Sequence, residues 1–187
     1  MSKLDLYALH KAEYATPRTP AFVETKPAQY LTIRGSGKPG GREFEAAIGA
    51  LYNVAFTIKM ASIFAGHDYS VCKLEGLWPS KEEWTLLIRT PDFIDADAVS
   101  DAIVKLKAKG KAGEIAHVRV KKLDEGRCVQ LLHTGPYDKE GASIEAMHAF
   151  AKVQGCRARG DHHEIYLSDP RRVTPEKLRT ILRQPVV

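Results

Sequence analysis

Hydrophobic and polar positions follow two periods along this chain. From residue 162 to 168, Ile165 and Leu167 alternate with Glu164, Tyr166 and Ser168, which predicts a strand with one apolar face. Ser168-Asp169-Pro170 ends it. Glu164 and Tyr166 stand one repeat apart on its other face and point the same way. Shorter stretches rich in strand formers predict strands over 21–25, 29–34, 69–78, 83–89, 117–123 and 127–133. Turns at Pro79-Ser80-Lys81 and Asp124-Glu125-Gly126 suggest two hairpins. A helical period appears over 43–60, where Phe44, Ile48, Leu51, Ala55 and Ile58 share a stripe, and over 96–109, where Asp95 is placed as the cap. A third helix is predicted over 142–153 with Ile144, Met147 and Ala151 inward. Thr174-Pro175 reads as the start of a fourth, carrying Leu178, Ile181 and Leu182.

The two halves of the chain match. Leu31 to Arg34 with Gly35, before a helix, parallels Gln130 to His133 with Gly135, before a helix. The stretch 83–91 parallels 162–170, and this alignment sets Glu164 opposite Thr85. The reading is α+β: two pseudo-symmetric strand-helix-strand halves, about 20–110 and 114–187, around a central cleft. Together they form one domain over 20–187, and residues 1–19 form an N-terminal arm. An arm of this kind packs on a neighbour or frays, so a homodimer stays open.

Composition narrows the setting. The chain has 187 residues, 44% of them hydrophobic, enough for a sizeable core. Its 28 basic and 23 acidic residues give +5, scattered and without an aromatic-interleaved basic stripe, so no nucleic-acid partner is expected. Three cysteines, with no CxxC spacing, point to neither a disulfide framework nor a zinc knuckle. With no signal-type or membrane-spanning run apparent in the sequence, a soluble cytoplasmic protein is expected. Seven histidines raise the question of a metal, but His162 and His163 are adjacent and point to opposite faces of a strand, and no HExxH spacing occurs; neither metal nor cofactor is expected. The loop 35–41 lacks the Gly-Lys-Ser/Thr ending of a phosphate loop.

The aromatic residues carry more information. Trp78, Trp84, Tyr137 and Tyr166 fall at strand faces, strand ends or turns near the proposed junction of the halves. Core packing accounts for about half of such residues, and most readily for Trp84, which shares a face with Leu86 and Ile88. With Glu164, the others suit an aromatic box containing one acid. Such a box performs general acid–base chemistry if burial raises the carboxyl pKa, or holds a cationic aromatic ligand.

In order along the chain, Lys73 to Trp78, the stretch 84–93, Leu132 to Tyr137 and HHEIYLSDPRR (residues 162–172) with its TPEKLRTILR tail resemble the GyrI-like small-molecule-binding proteins. The resemblance covers nearly the whole chain from about Pro20. It implies two strand-helix-strand-strand halves around a cleft that holds aromatics and a glutamate matching Glu164. It further implies one of two functions. The first is hydrolysis of cyclopropanoid DNA-alkylating natural products, with Glu164 as general base and Tyr137 as proton donor. Trp78, Trp84, Tyr166, His163 and Glu75 would then line the site. The second is non-catalytic binding of cationic or aromatic drugs by the same residues. No helix-turn-helix segment is recognisable beside the matching region, so the regulator role known in this family lacks its DNA-reading part.

Overall fold

The computed structural model describes residues 3–187. In chain order its elements are α1 (Leu6–Leu9), β1 (Ala21–Glu24), β2 (Ala28–Ser36), α2 (Arg42–Phe64), β3 (Leu74–Trp78), β4 (Glu83–Arg89), α3 (Ala96–Ala108), β5 (Arg119–Leu123), β6 (Arg127–Thr134), α4 (Gly141–Val153), β7 (His162–Tyr166) and β8 (Arg179–Pro185). Single 3-10 turns occupy Gly113–His117, Tyr137–Lys139 and Pro175–Lys177. The chain folds as two compact units. The first contains the described residues up to Leu9, 28–74 and 80–123; the second contains 10–27, 75–79 and 124–187.

In the first unit β2 is central, antiparallel to β4 on one side and β5 on the other. Ile33 lies opposite Leu86 and Leu31 opposite Ile88. All four are buried, as are Leu51 and Val54 of α2, which packs on this sheet. Asp95 caps α3 as predicted, accepting from the Ala98 amide at 2.9 Å.

In the second unit five antiparallel strands run in the order β1-β6-β8-β7-β3. The helix α4 covers one face of this sheet, where Val129, Leu131, Met147, Ala151, Leu182 and Val186 form a core with Phe22, Ile144 and Phe150 against it. The segment 13–17 ties down β6: the Gln130 amide donates to the carbonyls of Glu13 and Ala15, and the Leu132 amide to that of Pro17.

The tail corrects one expectation. The helix predicted from Thr174-Pro175 is a single 3-10 turn followed by the strand β8. Leu178, Ile181 and Leu182 fit a helical stripe, but in a short apolar run periodicity does not separate helix from strand. Tertiary pairing decides: β8 lies between β6 and β7, and every residue from Thr180 to Pro185 is buried. Both faces are covered, one by apolar packing around Leu182 and the other by the buried polar groups of Arg183 and its partners, so the strand loses the buried/exposed alternation that marks a one-sided strand. The repeat is re-phased as a result. Each half runs strand, helix, strand, strand, and the last strand returns antiparallel to the first, as β4 on β2 and β8 on β6. The counterpart of Glu83–Arg89 is thus β8, and the opposition of Glu164 to Thr85 falls away. Residues 124–126 do not close a hairpin between their flanking strands: β5 pairs with β2, β6 pairs with β1 and β8, and the chain changes unit at this turn.

Candidate functional site

The alternation of β7 sorts its side chains into two sets. His163 and Ile165 are fully buried on one face, while His162, Glu164 and Tyr166 share the other. Beside Glu164 the neighbouring strands present Gly76 of β3 and Leu182 of β8. Gly76 matters for its missing side chain. A Cβ there would stand 3.0 Å from both the Trp78 indole nitrogen and the Tyr166 hydroxyl, so the glycine leaves room for these groups to meet above the sheet. The Trp78 indole N–H donates to the Tyr166 hydroxyl at 3.2 Å, and that hydroxyl donates to Glu164 Oε2 at 2.8 Å. This directional chain ends on a carboxylate whose side chain is 13% exposed.

A second carboxyl joins it. Glu140 leads into α4 from the 3-10 turn Tyr137–Lys139 and is buried. His133 holds the turn against the helix, with Nδ1 3.0 Å from Ser143 Oγ and Nε2 3.3 Å from the Pro136 carbonyl. Tyr137, 39% exposed, sets its ring edge-on to Tyr166, with centroids 5.8 Å apart and planes at 82°. Burial and the neighbouring Glu164 charge push Glu140 up to about 9, so it carries a proton at neutral pH. Burial also raises Glu164, opposed by the hydrogen bond from Tyr166. Both tyrosines stay protonated: burial lifts Tyr137 to about 12 and Tyr166 well above its usual value. His162 is pushed down to about 4, chiefly by burial and then by the positive charge of His163, and its Nε2 lies 3.6 Å from Glu164 Oε1. Both nitrogens of His162 are buried without a hydrogen-bond partner. Thr180, the β8 neighbour of Tyr166, stands beside Glu140 and partly offsets the rise of its pKa, so Glu140 and Thr180 gather on the side of the sheet that carries Glu164.

Of the residues singled out in the sequence, Glu164, Tyr166, Trp78 and Tyr137 come together here. His163 and Glu75 do not. They lie on the opposite face of the sheet, in a buried ion cluster where His163 Nε2 meets Glu75 Oε2 at 2.9 Å and Nδ1 meets both Glu125 oxygens at 3.0 Å. Arg183 donates to Glu125 at 3.1 Å and to Gln130 at 2.8 Å. The carboxylates of Glu125 and Glu75 hold His163 up at about 9 against its burial, and His163 with Arg183 holds Glu125 down at about 2 against its own. Trp84 belongs to the first unit, where its indole is buried edge-on to Phe44 and stacked over Gly35. Sequence reasoning missed His162 and Glu140. Strand phase had the signal for His162, which is two residues from Glu164. Glu140 reads in sequence as an ordinary acid at a helix start, and only its burial marks it. Among the described residues no cluster of three or more histidines, cysteines or acids is placed to hold a metal ion.

The family model of the GyrI-like small-molecule-binding domain matches residues 18–187. Among solved structures, a hydrolase from Listeria innocua is 35% identical with a TM-score of 0.91, over 99% of this chain and 100% of its own. Another crystal structure of a hydrolase from the same organism is 34% identical with a TM-score of 0.92, over the full length of both chains. The C-terminal domain of EcmrR is 12% identical with a TM-score of 0.62, over 90% of this chain and 97% of that domain, a likeness of fold alone. No curated protein matches.

Proposed function

We propose a hydrolytic role for this chain, which belongs to the GyrI-like small-molecule-binding domain family: it holds a flat aromatic molecule and adds water to it. The substrate class we assign is a cyclopropane conjugated to a dienone, as in cyclopropanoid DNA-alkylating compounds. One observation carries the reading. Two neighbouring buried carboxyls stand in different surroundings: burial and the Glu164 charge push Glu140 up to about 9, while Glu164, also raised by burial, accepts the Trp78–Tyr166 hydrogen-bond chain that opposes the rise. Divergent carboxyls of this kind supply an acid and a base at one pH. The hydrolases from Listeria innocua, each just over a third identical to this chain, are consistent with this role.

In the proposed reaction Glu164 takes a proton from water as its oxygen bonds to the cyclopropane methylene. The strained carbon–carbon bond breaks, its electron pair moves through the dienone, and the carbonyl oxygen becomes a phenolate. Glu140, directly or through the Tyr137 hydroxyl, supplies the proton that makes it a phenol. The proton gained by Glu164 then returns to Glu140, so the product is substrate plus one water. Trp78, Tyr137 and Tyr166 hold the flat substrate and exclude bulk water.

Mass spectrometry of a cyclopropanoid incubated with the protein tests this by a gain of one water. Glu164→Gln keeps the shape and removes the base, so the rate should fall by roughly two to four orders of magnitude while the substrate still binds. Parent-rate turnover in that variant excludes Glu164 as the base. Saturable binding of a cationic dye, with no product from any cyclopropanoid, returns the site to a binding role.

A further inference from the structure

A feature of the first unit stands apart from this site. α2 is long and apolar enough to span a membrane by length and composition, yet its apolar residues form two separate faces. One packs into the core through Leu51, Val54, Ala55 and Ile58. The other is open. Tyr52, Phe56, Met60 and Phe64 recur every four residues and form a ridge along the outer side of the helix. Phe56, Met60 and Phe64 are 51%, 50% and 85% exposed, and Ile63 widens the shoulder of the ridge. Beside it runs a groove floored by the next row, Gly49, Asn53, Thr57 and Ala61, and walled on its far side by exposed Lys105 of α3 and Lys109, which caps that helix.

We propose that this face is an interface between two copies of the chain, each inserting its ridge into the other's groove. A ridge of i±4 side chains beside a parallel groove of small ones is self-complementary. Two such helices related by a two-fold axis interdigitate in the commonest helix-packing class, crossing at about −50°. The floor is shaped for it: a Cβ on Gly49 would meet nothing within 4 Å, so the space above the groove is free for an incoming ring. The area is also sufficient. At about 200 Å² for a large side chain, the exposed parts of Phe56, Met60, Ile63 and Phe64 amount to roughly 450 Å² per copy. With Tyr52 and the lysine stems, two copies bury about 1,200 Å², the lower bound of specific interfaces. An apolar patch of this size falls among the largest that monomers expose, about 300–600 Å², and patches of that size are often interaction sites. Lys105 and Lys109 supply the polar rim.

Sedimentation equilibrium of the full chain tests the proposal. The parent should be dimeric at micromolar concentration. Phe64→Glu and Phe56→Glu place a charge in the contact twice per dimer, and each should weaken association at least about a hundredfold. Gly49→Leu should do the same by filling the floor, and its helix is strengthened, so loss of the dimer with an unchanged melting temperature is not a folding defect. A parent that is monomeric at ~100 μM overturns the proposal, as does a dimer indifferent to all three changes. A monomeric parent that sediments with phosphatidylserine vesicles, and ceases to do so in Phe64→Glu, assigns the face to a lipid surface and overturns it as well.

Discussion

Glu140→Gln should stabilise this protein, and only where the pH is high enough for an unfolded glutamate to be ionised. In the unfolded chain Glu140 loses its proton near 4.5; in the fold, burial and the Glu164 charge delay that loss to about 9. A carboxyl whose folded pKa is raised binds more protons in the native state, so stability falls as pH rises through the window from about 4.5 to about 9. At one proton the slope is about 1.4 kcal/mol per pH unit, which over the 2.5 units from 4.5 to pH 7 gives an upper bound of about 3.5 kcal/mol. Sharing of the proton with Glu164 reduces this. Glutamine is neutral in both states and escapes the loss while keeping the size and hydrogen-bonding capacity of the protonated acid. For a chain of this length, 1 kcal/mol moves Tm by about 2–4 °C, so the variant should melt several degrees higher, and at most about 14 °C higher, at pH 7. At pH 4 the two melting curves should nearly coincide. Thermal unfolding followed by circular dichroism between pH 4 and 9 reads this directly. A Gln variant that melts no higher than the parent at pH 7, or by the same margin at pH 4 and pH 8, refutes the assignment of a proton to Glu140.

Three further outcomes follow from the same geometry. Tyr166→Phe removes the hydroxyl that holds Glu164 down, so the acid limb of the pH–rate profile should move to higher pH; an unmoved limb would show that Glu164 does not set it. Trp78→Phe should abolish the change in tryptophan fluorescence on ligand binding while Trp84→Phe retains it, because Trp78 bonds into the Glu164 chain and Trp84 packs on Phe44; a signal that survives in Trp78→Phe and vanishes in Trp84→Phe reverses the assignment. His163→Leu leaves Glu75 and Glu125 facing each other without the cation between them and should cost about 3–5 kcal/mol in urea unfolding. His163 has a raised folded pKa, so its contribution in the parent is fully present below about 6.5 and is lost as pH rises through about 9; a parent in Glu140→Gln form whose stability is flat from pH 6.5 to 9 would contradict that charge.

The strongest sequence signals were those in which one period fixes one face. The strand over His162–Tyr166, the helices over Arg42–Phe64 and Gly141–Val153 and the cap at Asp95 all follow from local spacing. The tail did not, because a strand covered on both faces loses its alternation and Leu178, Ile181 and Leu182 mimic a helical stripe. That single error also misaligned the repeat, since it removed the last strand of the second half. At the site, Glu164, Tyr166 and Trp78 were legible from period and residue type. Glu140 was not: what marks it is burial beside Glu164, a long-range fact about how the turn Tyr137–Lys139 returns to the sheet. Which histidine shares the face of Glu164 follows from strand phase, which places His162 there and His163 on the other face.

The same phase explains why an acid and a histidine cation occupy consecutive positions of β7 without pairing. Glu164 points to the face with the aromatics, and His163 points through to Glu75 and Glu125, so the sheet backbone separates them. Burial raises Glu164, the Tyr166 hydroxyl lowers it, and the His163 charge beneath the sheet lowers it further. That charge also adds to burial in keeping His162 neutral, so the imidazole nearest Glu164 does not neutralise it as a salt-bridge partner would. A positive charge that does not compete for a buried carboxyl's oxygens favours its charged form without pairing with it. In this sheet such a charge acts from the reverse face, where Arg183 and two carboxylates fix the imidazolium in place, and Glu164 keeps both oxygens on the side where Tyr166 and Glu140 stand.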